Sequence, residues 1–242
     1  FDYLRKKGAK IAELRAGRET TEGCIVAVTS SDAKLGVIAY ISCETDFVSK
    51  NEEFRAFATS VANAALAAGA STKEEVLELT LEGTKIADKL QEKVSAIGEL
   101  IQLSAYEKLT GETVVAYNHA GNKIGVLVAL NNPKSDVNVE AGKDVAMQVA
   151  AMNPLAVDAS GVAQEVVDRE VAIAKEKAVA AGKPANILDK IAEGAANTFL
   201  KENTLMTQPF VKDGSKNVTQ FLAESEKGLT VTAFKRIALG VK

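Results

Sequence analysis

The stretch "CIVAVTSSDAKLGVIAYIS" (residues 24–42) matches "TVVAYNHAGNKIGVLVALN" (residues 113–131) at one fixed offset, so that residues 34–37 fall on residues 123–126. Each stretch holds two short runs rich in valine and isoleucine around a polar turn, which is typical of a β-hairpin. The internal repeat therefore predicts two related subdomains, each built on a small antiparallel sheet.

A helix is predicted behind each hairpin, because apolar residues recur there at intervals of three and four. These residues are Phe54, Phe57, Ala58, Val61, Ala62 and Ala65 after the first hairpin, and Val145, Ala146, Val149 and Ala150 after the second. Small sheets backed by helices define an α+β fold. The segment from Gln208 onward is predicted to hold a loop, a short helix and a returning strand that closes the second sheet.

Two further regions are predicted to be helical. Residues 72–109 have the spacing of two helices, and the second helix places six apolar residues on or near one face: Ile86, Leu90, Val94, Ile97, Ile101 and Leu103. Residues 161–205 are predicted to form two long antiparallel helices joined around Gly182 and Pro184, which are helix-ending residues. The narrow seam of small residues in this helical hairpin fits a projecting coiled-coil-like arm or ordinary core packing.

Composition limits the classes of function. The chain has 242 residues, a formal net charge of -3, no tryptophan and no apolar run of about 20 residues that could span a bilayer. Cys24 and Cys43 are too few for a disulfide framework, and with a hairpin turn near residue 32 Cys43 would lie opposite about Thr21. With no secretory leader pattern, these features predict a cytoplasmic protein.

A search for reactive groups finds no constellation typical of an enzyme. One histidine and two cysteines cannot supply a zinc site of ordinary spacing, and no glycine-rich phosphate loop is present. Cys43 has no general base near it in the sequence, and His119 is predicted to be a surface turn residue. The sequence therefore favours a binding protein over an enzyme.

The connection "ISCETDFVSKNEEF" (residues 41–54) places Phe47 between a strand and a helix. Ser49 and Glu52 have the spacing of a capping box, so the helix starts at Ser49, or one turn earlier with Thr45 as its cap. Phe47 at this corner either packs back into the core or is presented to the pocket of a partner as an interface hot spot.

The start of the chain is basic. "FDYLRKKGAKIAEL" opens within a predicted helix that ends at Gly8, and Phe1 is not an initiator, so we expect a segment to be missing upstream. Residues 1–18 fit a solvated linker, or an arm that contacts ribosomal RNA or an acidic partner.

The segment "TDFVSKNEEF" (residues 45–54) resembles a signature of the elongation factor Ts family, the nucleotide-exchange factors of the translational GTPase elongation factor Tu. The resemblance continues in order along the chain, through "LRKKG" (4–8), "SAIGE" (95–99), "HAGNKIGVLV" (119–128), "AMQVAAMNP" (146–154), "GKP" (182–184) and "QPFVKD" (208–213). It implies that residues 1–18 are the last helix and linker of a truncated N-terminal domain. Residues 19–112 would be one core subdomain, residues 113–160 with 206–242 the other, and residues 161–205 an inserted coiled coil.

The resemblance also implies a mechanism. The factor binds elongation factor Tu in its GDP-bound and nucleotide-free states and inserts Asp46 and Phe47 as a wedge near the Mg²⁺ and phosphate site. GDP then leaves and GTP can bind. The other residues that the resemblance assigns to the interface are Thr45, Val48, Ile97, Gly98, His119, Val211 and Lys212. The resemblance implies no cofactor, no direct nucleotide binding and no membrane, and it leaves open a homodimer or a 2:2 complex with the GTPase.

A second hypothesis stays open beside this one. The basic start would also suit a non-exchanging translation protein that associates with RNA or the ribosome. An enzyme is the weakest of the three classes, because no nucleophile with a neighbouring base is found.

Overall fold

The computed structural model describes residues 2–15 and 17–240. The helices are α1 (Asp2–Leu14), α2 (Asp46–Ser49), α3 (Glu52–Ala68), α4 (Lys73–Glu78), α5 (Ile86–Ile97), α6 (Asp136–Met152), α7 (Gln164–Ala180), α8 (Leu188–Asn203) and α9 (Val218–Ser225). The strands are β1 (Glu22–Thr29), β2 (Leu35–Cys43), β3 (Thr80–Leu81), β4 (Thr84–Lys85), β5 (Gln102–Thr110), β6 (Thr113–Asn118), β7 (Ile124–Leu130), β8 (Pro209–Phe210), β9 (Asp213–Asn217) and β10 (Val231–Ala238). Small sheets backed by helices confirm the predicted α+β fold. Among the described helices, none is long and apolar enough to cross a membrane.

The chain divides into two compact units. The first unit spans Phe1–Ala150 and Thr232–Lys242, and the second spans Ala151–Val231. The larger sheets, β1-β2-β5 and β10-β7-β6, are built almost wholly from strands of the first unit, whereas the β8-β9 pair belongs to the second. The division into residues 1–18, 19–112, 113–160 with 206–242, and 161–205 stays a prediction. Four residues of these predicted parts lie outside the described residues: Phe1, Ala16, Val241 and Lys242.

The repeated hairpins are β1-β2 and β6-β7, and both pair antiparallel as predicted. Gly36 and Gly125 hold the same place in the two repeats, and each lets the other hairpin approach closely. A Cβ added to Gly36 would lie 2.7 Å from Leu127 Cδ2, and one added to Gly125 would lie 2.7 Å from Ile25 Cγ2. The cluster that joins the two sheets contains Ile25, Ala27, Ile38, Leu109, Val114, Leu127 and Ala129.

The opposite face of the first sheet is covered by helices. Cys24 and Val26 on β1 pack with Phe54 and Val61 of α3 in a second cluster, to which α5 contributes. All ten residues predicted to lie on the inner faces of the two helices after the hairpins are buried. Strands β1 and β2 are therefore covered on both faces, which explains why their sequences are continuously apolar instead of alternating.

The predicted second helix of residues 72–109 is shorter than expected. Helix α5 ends at Ile97 because Gly98 takes the left-handed conformation, with φ 81°. Ile101 and Leu103 are buried, but they belong to the approach to β5 and to β5 itself, which pairs with β2. Their placement on the helix face was therefore wrong.

The predicted end of the first helix at Gly8 was also wrong. Helix α1 continues through Gly8 to Leu14. A Cβ on Gly8 would lie only 2.0 Å from the carbonyl oxygen of Gln91 on α5. The glycine therefore serves the close crossing of two helices and does not terminate α1.

The predicted helical hairpin is present in the second unit. Helices α7 and α8 pack together, and Lys175 Nζ pairs with Asp189 Oδ1 at 2.7 Å. The buried residues of the two helices are all alanines, Ala178, Ala192 and Ala196, which matches the predicted seam of small residues.

The chain enters and leaves this hairpin at adjacent points. The Leu155 N–H donates to the carbonyl of Asn203 at 2.8 Å, and the Leu205 N–H donates to the carbonyl of Ala156 at 2.9 Å. Because the two ends already lie side by side, the hairpin can be excised with little rearrangement of the flanking backbone.

We expect Gly125→Ala to lower the free energy of unfolding by about 1–3 kcal/mol, because the new methyl group overpacks the contact between the sheets. The matched control is Gly194→Ala, which lies inside α8 with no atom near its Cβ position and should be neutral or stabilising by up to about 1 kcal/mol. Urea unfolding of both variants measures the difference. Equal effects would contradict the close approach.

We expect deletion of residues 160–202, with a short glycine linker between the ends, to leave the remainder folded. Circular dichroism should show a loss of helix that matches α7 and α8, and chemical unfolding should stay cooperative. A deletion variant that has lost cooperative unfolding would show that the hairpin is part of the core.

Candidate functional site

The corner after β2 consists of the short helix α2 followed directly by α3. Thr45 is the N-cap residue of α2, and Asn51 caps α3 by accepting a hydrogen bond from the Phe54 N–H at 3.2 Å. Ser49 is buried within α2 and caps nothing, so the capping box predicted for Ser49 and Glu52 was wrong. The alternative start, one turn earlier with Thr45 at the N-cap position, is confirmed, although the Thr45 side chain makes no capping hydrogen bond.

Phe47 projects from this corner into solvent. Its exposed fraction is 85 %, whereas Val48 beside it is half-buried and packs on the cluster beneath α3. The interpretation of Phe47 as a core residue was therefore wrong. Exposure of a large aromatic ring to water is unfavourable in a free protein. A ring that is exposed on a backbone fixed by its packed neighbours is well suited to an interface.

Asp46 places a negative charge next to the ring. Its Oδ2 lies 2.7 Å from Lys50 Nζ, one helical turn on. The hydrogen bond and charge of Lys50 hold the pKa of Asp46 below its usual range, and the charge of Lys123 lowers it further. Asp46 is therefore ionised at neutral pH.

Glu99, just after the end of α5, contacts the corner, and no sequence pattern identified it as a site residue. Glu99 follows the predicted residues Ile97 and Gly98, and its carboxylate accepts hydrogen bonds from the backbone N–H groups of Glu44 and Thr45. Ile97 is 40 % exposed at the end of α5. The only signal in the sequence was the place of Glu99 as the last residue of "SAIGE".

His119 lies in the exposed turn between β6 and β7, as predicted. Its Nδ1 is 3.0 Å from the Tyr117 hydroxyl, and its backbone N–H donates to the carbonyl of Ile124 at 2.9 Å. These contacts hold the ring at the surface beside the strand ends.

The turn that carries His119 is fixed to β1 by two asparagines. The side chain of Asn118 accepts from the Ala27 N–H and donates to the Ala27 carbonyl, both at 2.8 Å. The Asn122 amide donates to the carbonyl of Ile25 at 3.1 Å. These bonds pair part of the free edge of β1 and hold His119 in a fixed place relative to the first sheet.

Val211 and Lys212 form the turn between β8 and β9 in the second unit, where a loop was predicted. Both are exposed, Val211 by 44 %. Beneath them Phe210 stacks on Phe221, with ring centroids 4.1 Å apart. The stacked rings support the turn and present its two side chains to solvent.

The described residues hold no group of three or more histidine, cysteine or acidic side chains that could bind a metal ion. Cys24 and Cys43 are buried and free, and burial raises the pKa of their thiols to about 11 and about 12. Cys24 lies opposite Ile41, and Cys43 lies opposite Glu22, one residue from the predicted Thr21.

Comparison with known proteins identifies one family. The family model of elongation factor Ts matches residues 44–241. The chain is 48 % identical over 240 residues to elongation factor Ts of Amoebophilus asiaticus, covering 99 % of this chain and 87 % of the relative. It is 44 % identical to that of Christiangramia forsetii, with 99 % and 86 % covered, and 37 % identical to that of Chlorobium phaeobacteroides, with the same shares covered.

We expect Phe47→Ala to change the free energy of unfolding by no more than about 0.5 kcal/mol, because an exposed ring loses no packing. The matched control is Phe54→Ala, seven positions on and 1 % exposed, which should cost about 3–5 kcal/mol. Chemical unfolding of both variants tests this. A large loss of stability in Phe47→Ala would show that the ring is buried.

Proposed function

The chain belongs to the elongation factor Ts family of translation elongation factors, and from this membership we propose that it is a guanine-nucleotide exchange factor for elongation factor Tu. In this proposal it binds the GDP-bound GTPase and promotes GDP release by inserting Asp46 and Phe47 near the Mg²⁺ and phosphate site. GTP then binds to the emptied GTPase.

The observation that carries the proposal is the exposure of Phe47 on a corner that is packed from below. A GTPase of this class holds GDP through contacts to its phosphates and Mg²⁺ that act together. Burial of a phenylalanine side chain provides about 1.5–3 kcal/mol, and each 1.36 kcal/mol changes a rate about tenfold. Insertion of this ring is therefore sufficient to speed dissociation by about ten- to a hundredfold if it separates the groups that order the metal.

The remaining predicted residues are proposed as supporting contacts. Thr45 and Val48 flank the wedge. Ile97 and Gly98 precede Glu99, which bonds to the corner, and His119 lies on the turn that Asn122 bonds to β1. A second contact through Val211 and Lys212 would anchor the factor on another part of the GTPase. Two linked contacts raise the effective concentration of the wedge at its site.

Thermodynamic linkage between GDP binding and binding of the factor determines which complex is stable. If the factor weakens GDP binding, GDP weakens binding of the factor by the same ratio. We therefore propose that the long-lived complex is the nucleotide-free one and that incoming GTP displaces the factor. The factor itself needs no cofactor and no nucleotide, and it would act in the cytoplasm, where translation takes place. Assembly as a homodimer or a 2:2 complex stays a prediction.

The test is release of a fluorescent GDP analogue from elongation factor Tu in stopped flow. We expect Phe47→Ala to slow release at least about tenfold relative to the unmodified chain. Asp46→Ala should have a milder effect, and the double variant should lose less than the sum of the two single effects, because the pair acts as one wedge. Val137→Ala removes another exposed apolar side chain of the first unit and should leave release unchanged.

Two outcomes would contradict the proposal. Unchanged GDP release in the presence of the chain, together with salt-dependent RNA binding, would favour the RNA- or ribosome-associated alternative. Normal release with Phe47→Ala would leave exchange in place but remove the wedge from its mechanism.

A further inference from the structure

We propose that Glu99 is a positioning residue for the exchange reaction: its carboxylate holds the backbone of residues 44–45 so that the Phe47 ring is presented in its binding orientation. The inference rests on the proposed function of the Asp46–Phe47 wedge. It assigns no contact with the GTPase to Glu99 itself.

The contacts of Glu99 are concentrated on the residues just before the wedge. Its Oε2 accepts from the backbone N–H groups of Glu44 and Thr45 at 3.1 Å each, and its Oε1 accepts from the Thr45 hydroxyl at 2.6 Å. Hydrogen bonds to a carboxylate are stronger than bonds between neutral groups. Three such bonds fix the backbone at the point where β2 gives way to α2.

Helix α2 depends on these bonds because it lacks the usual support of a short helix. An N-cap threonine ordinarily accepts a hydrogen bond from a backbone N–H of the first turn through its side-chain oxygen. Thr45 makes no such cap, and its hydroxyl instead donates to Glu99. A four-residue helix has no stability of its own, so its orientation is set by its neighbours.

The carboxylate of Glu44 makes the reverse contact, from the corner to the segment after α5. Glu44 Oε1 accepts from the Leu100 N–H at 2.8 Å, and both Glu44 carboxylate oxygens accept from Arg15 Nη1 at 2.8 Å. The side chain of Glu44 is only 9 % exposed. Burial alone would raise the pKa of Glu44, but the bonds from Leu100 and Arg15 outweigh it and hold that pKa below its usual range.

Glu44 and Glu99 thus form a crossed carboxylate pair, in which each acidic side chain accepts backbone N–H groups from the segment that carries the other. The corner is thereby tied to the end of α5, and through Arg15 to the segment after α1. Loss of the Glu99 carboxylate leaves two backbone N–H groups and one hydroxyl without their acceptor. The corner then samples orientations in which Phe47 is not ready to bind.

The first experiment separates affinity from maximal rate. GDP release from elongation factor Tu is measured over a range of factor concentrations for Glu99→Ala and Glu99→Gln. If only a fraction of free molecules holds the binding orientation, the apparent affinity falls by that fraction. We expect Glu99→Ala to raise the half-saturating concentration by about five- to tenfold with the maximal rate within about twofold.

Glu99→Gln should retain the exchange activity that Glu99→Ala loses. Its amide oxygen can accept the two backbone bonds and its amide nitrogen can donate to the Thr45 hydroxyl, so exchange should stay near that of the unmodified chain. The control for removal of an acidic side chain is Glu74→Ala, an exposed residue in the first turn of α4. It should change neither parameter.

The second experiment measures motion of the side chain at position 47 in the free protein. The chain has no tryptophan, so the Phe47→Trp variant carries a single indole at the position of interest. Time-resolved fluorescence anisotropy then reports nanosecond motion of the ring. Addition of Glu99→Ala should increase the amplitude of fast depolarisation, and addition of Glu99→Gln should not.

The outcomes distinguish failure of this inference from failure of the proposed function. Normal exchange and unchanged anisotropy in Glu99→Ala, with Phe47→Ala impaired, would overturn the positioning role. So would a full additive loss in the Phe47→Ala/Glu99→Ala double variant, or a lowered melting temperature with normal exchange per folded molecule. If Phe47→Ala itself exchanges normally, the wedge has failed, and the anisotropy still decides whether Glu99 holds the corner.

Discussion

The close contact between the two related hairpins is the constraint on which the first unit depends. Gly36 and Gly125 have no side chain, so Leu127 packs closely against Gly36 and Ile25 packs closely against Gly125. One face of the first sheet is covered in this way, which leaves the other face for α3 and α5. The corner with Phe47 begins where β2 leaves this sandwich, and the His119 turn is bonded to β1. Packing of apolar residues between the hairpins therefore sets the position of the exposed binding groups.

Local sequence patterns were sufficient to predict most of the fold. The inner faces of α3 and α6 follow from apolar residues spaced three and four apart. The hairpins follow from runs of valine and isoleucine around polar turns, and the pair α7 and α8 from the helix-ending residues Gly182 and Pro184. Strand β5 was missed because it is mostly half-buried and carries Glu107 and Lys108, so it lacks a clear apolar run. The continuation of α1 past Gly8 was missed because the reason for that glycine lies on another helix.

The candidate site was predictable in part. The pattern around Phe47 allowed a core residue or a binding residue, since both place an aromatic side chain at a strand-to-helix corner. The choice depends on which way a single helical turn faces, and that is set by contacts with residues distant in sequence. Glu99 was not singled out for the same reason, because its partners Glu44 and Thr45 lie more than fifty positions earlier in the chain. Sequence patterns identify elements better than they identify hydrogen bonds between elements.

The burial of Cys24 and Cys43 has a practical chemical consequence. With thiol pKa values of about 11 and about 12, the fraction present as the nucleophilic thiolate at pH 7 is on the order of one in ten thousand or less. Both sulfurs are also shielded from reagents by the packed sheet and α3. A cysteine introduced at the surface would therefore react with maleimide or iodoacetamide dyes far faster than the native pair, so the folded chain can be labelled at a chosen point without first removing its own thiols.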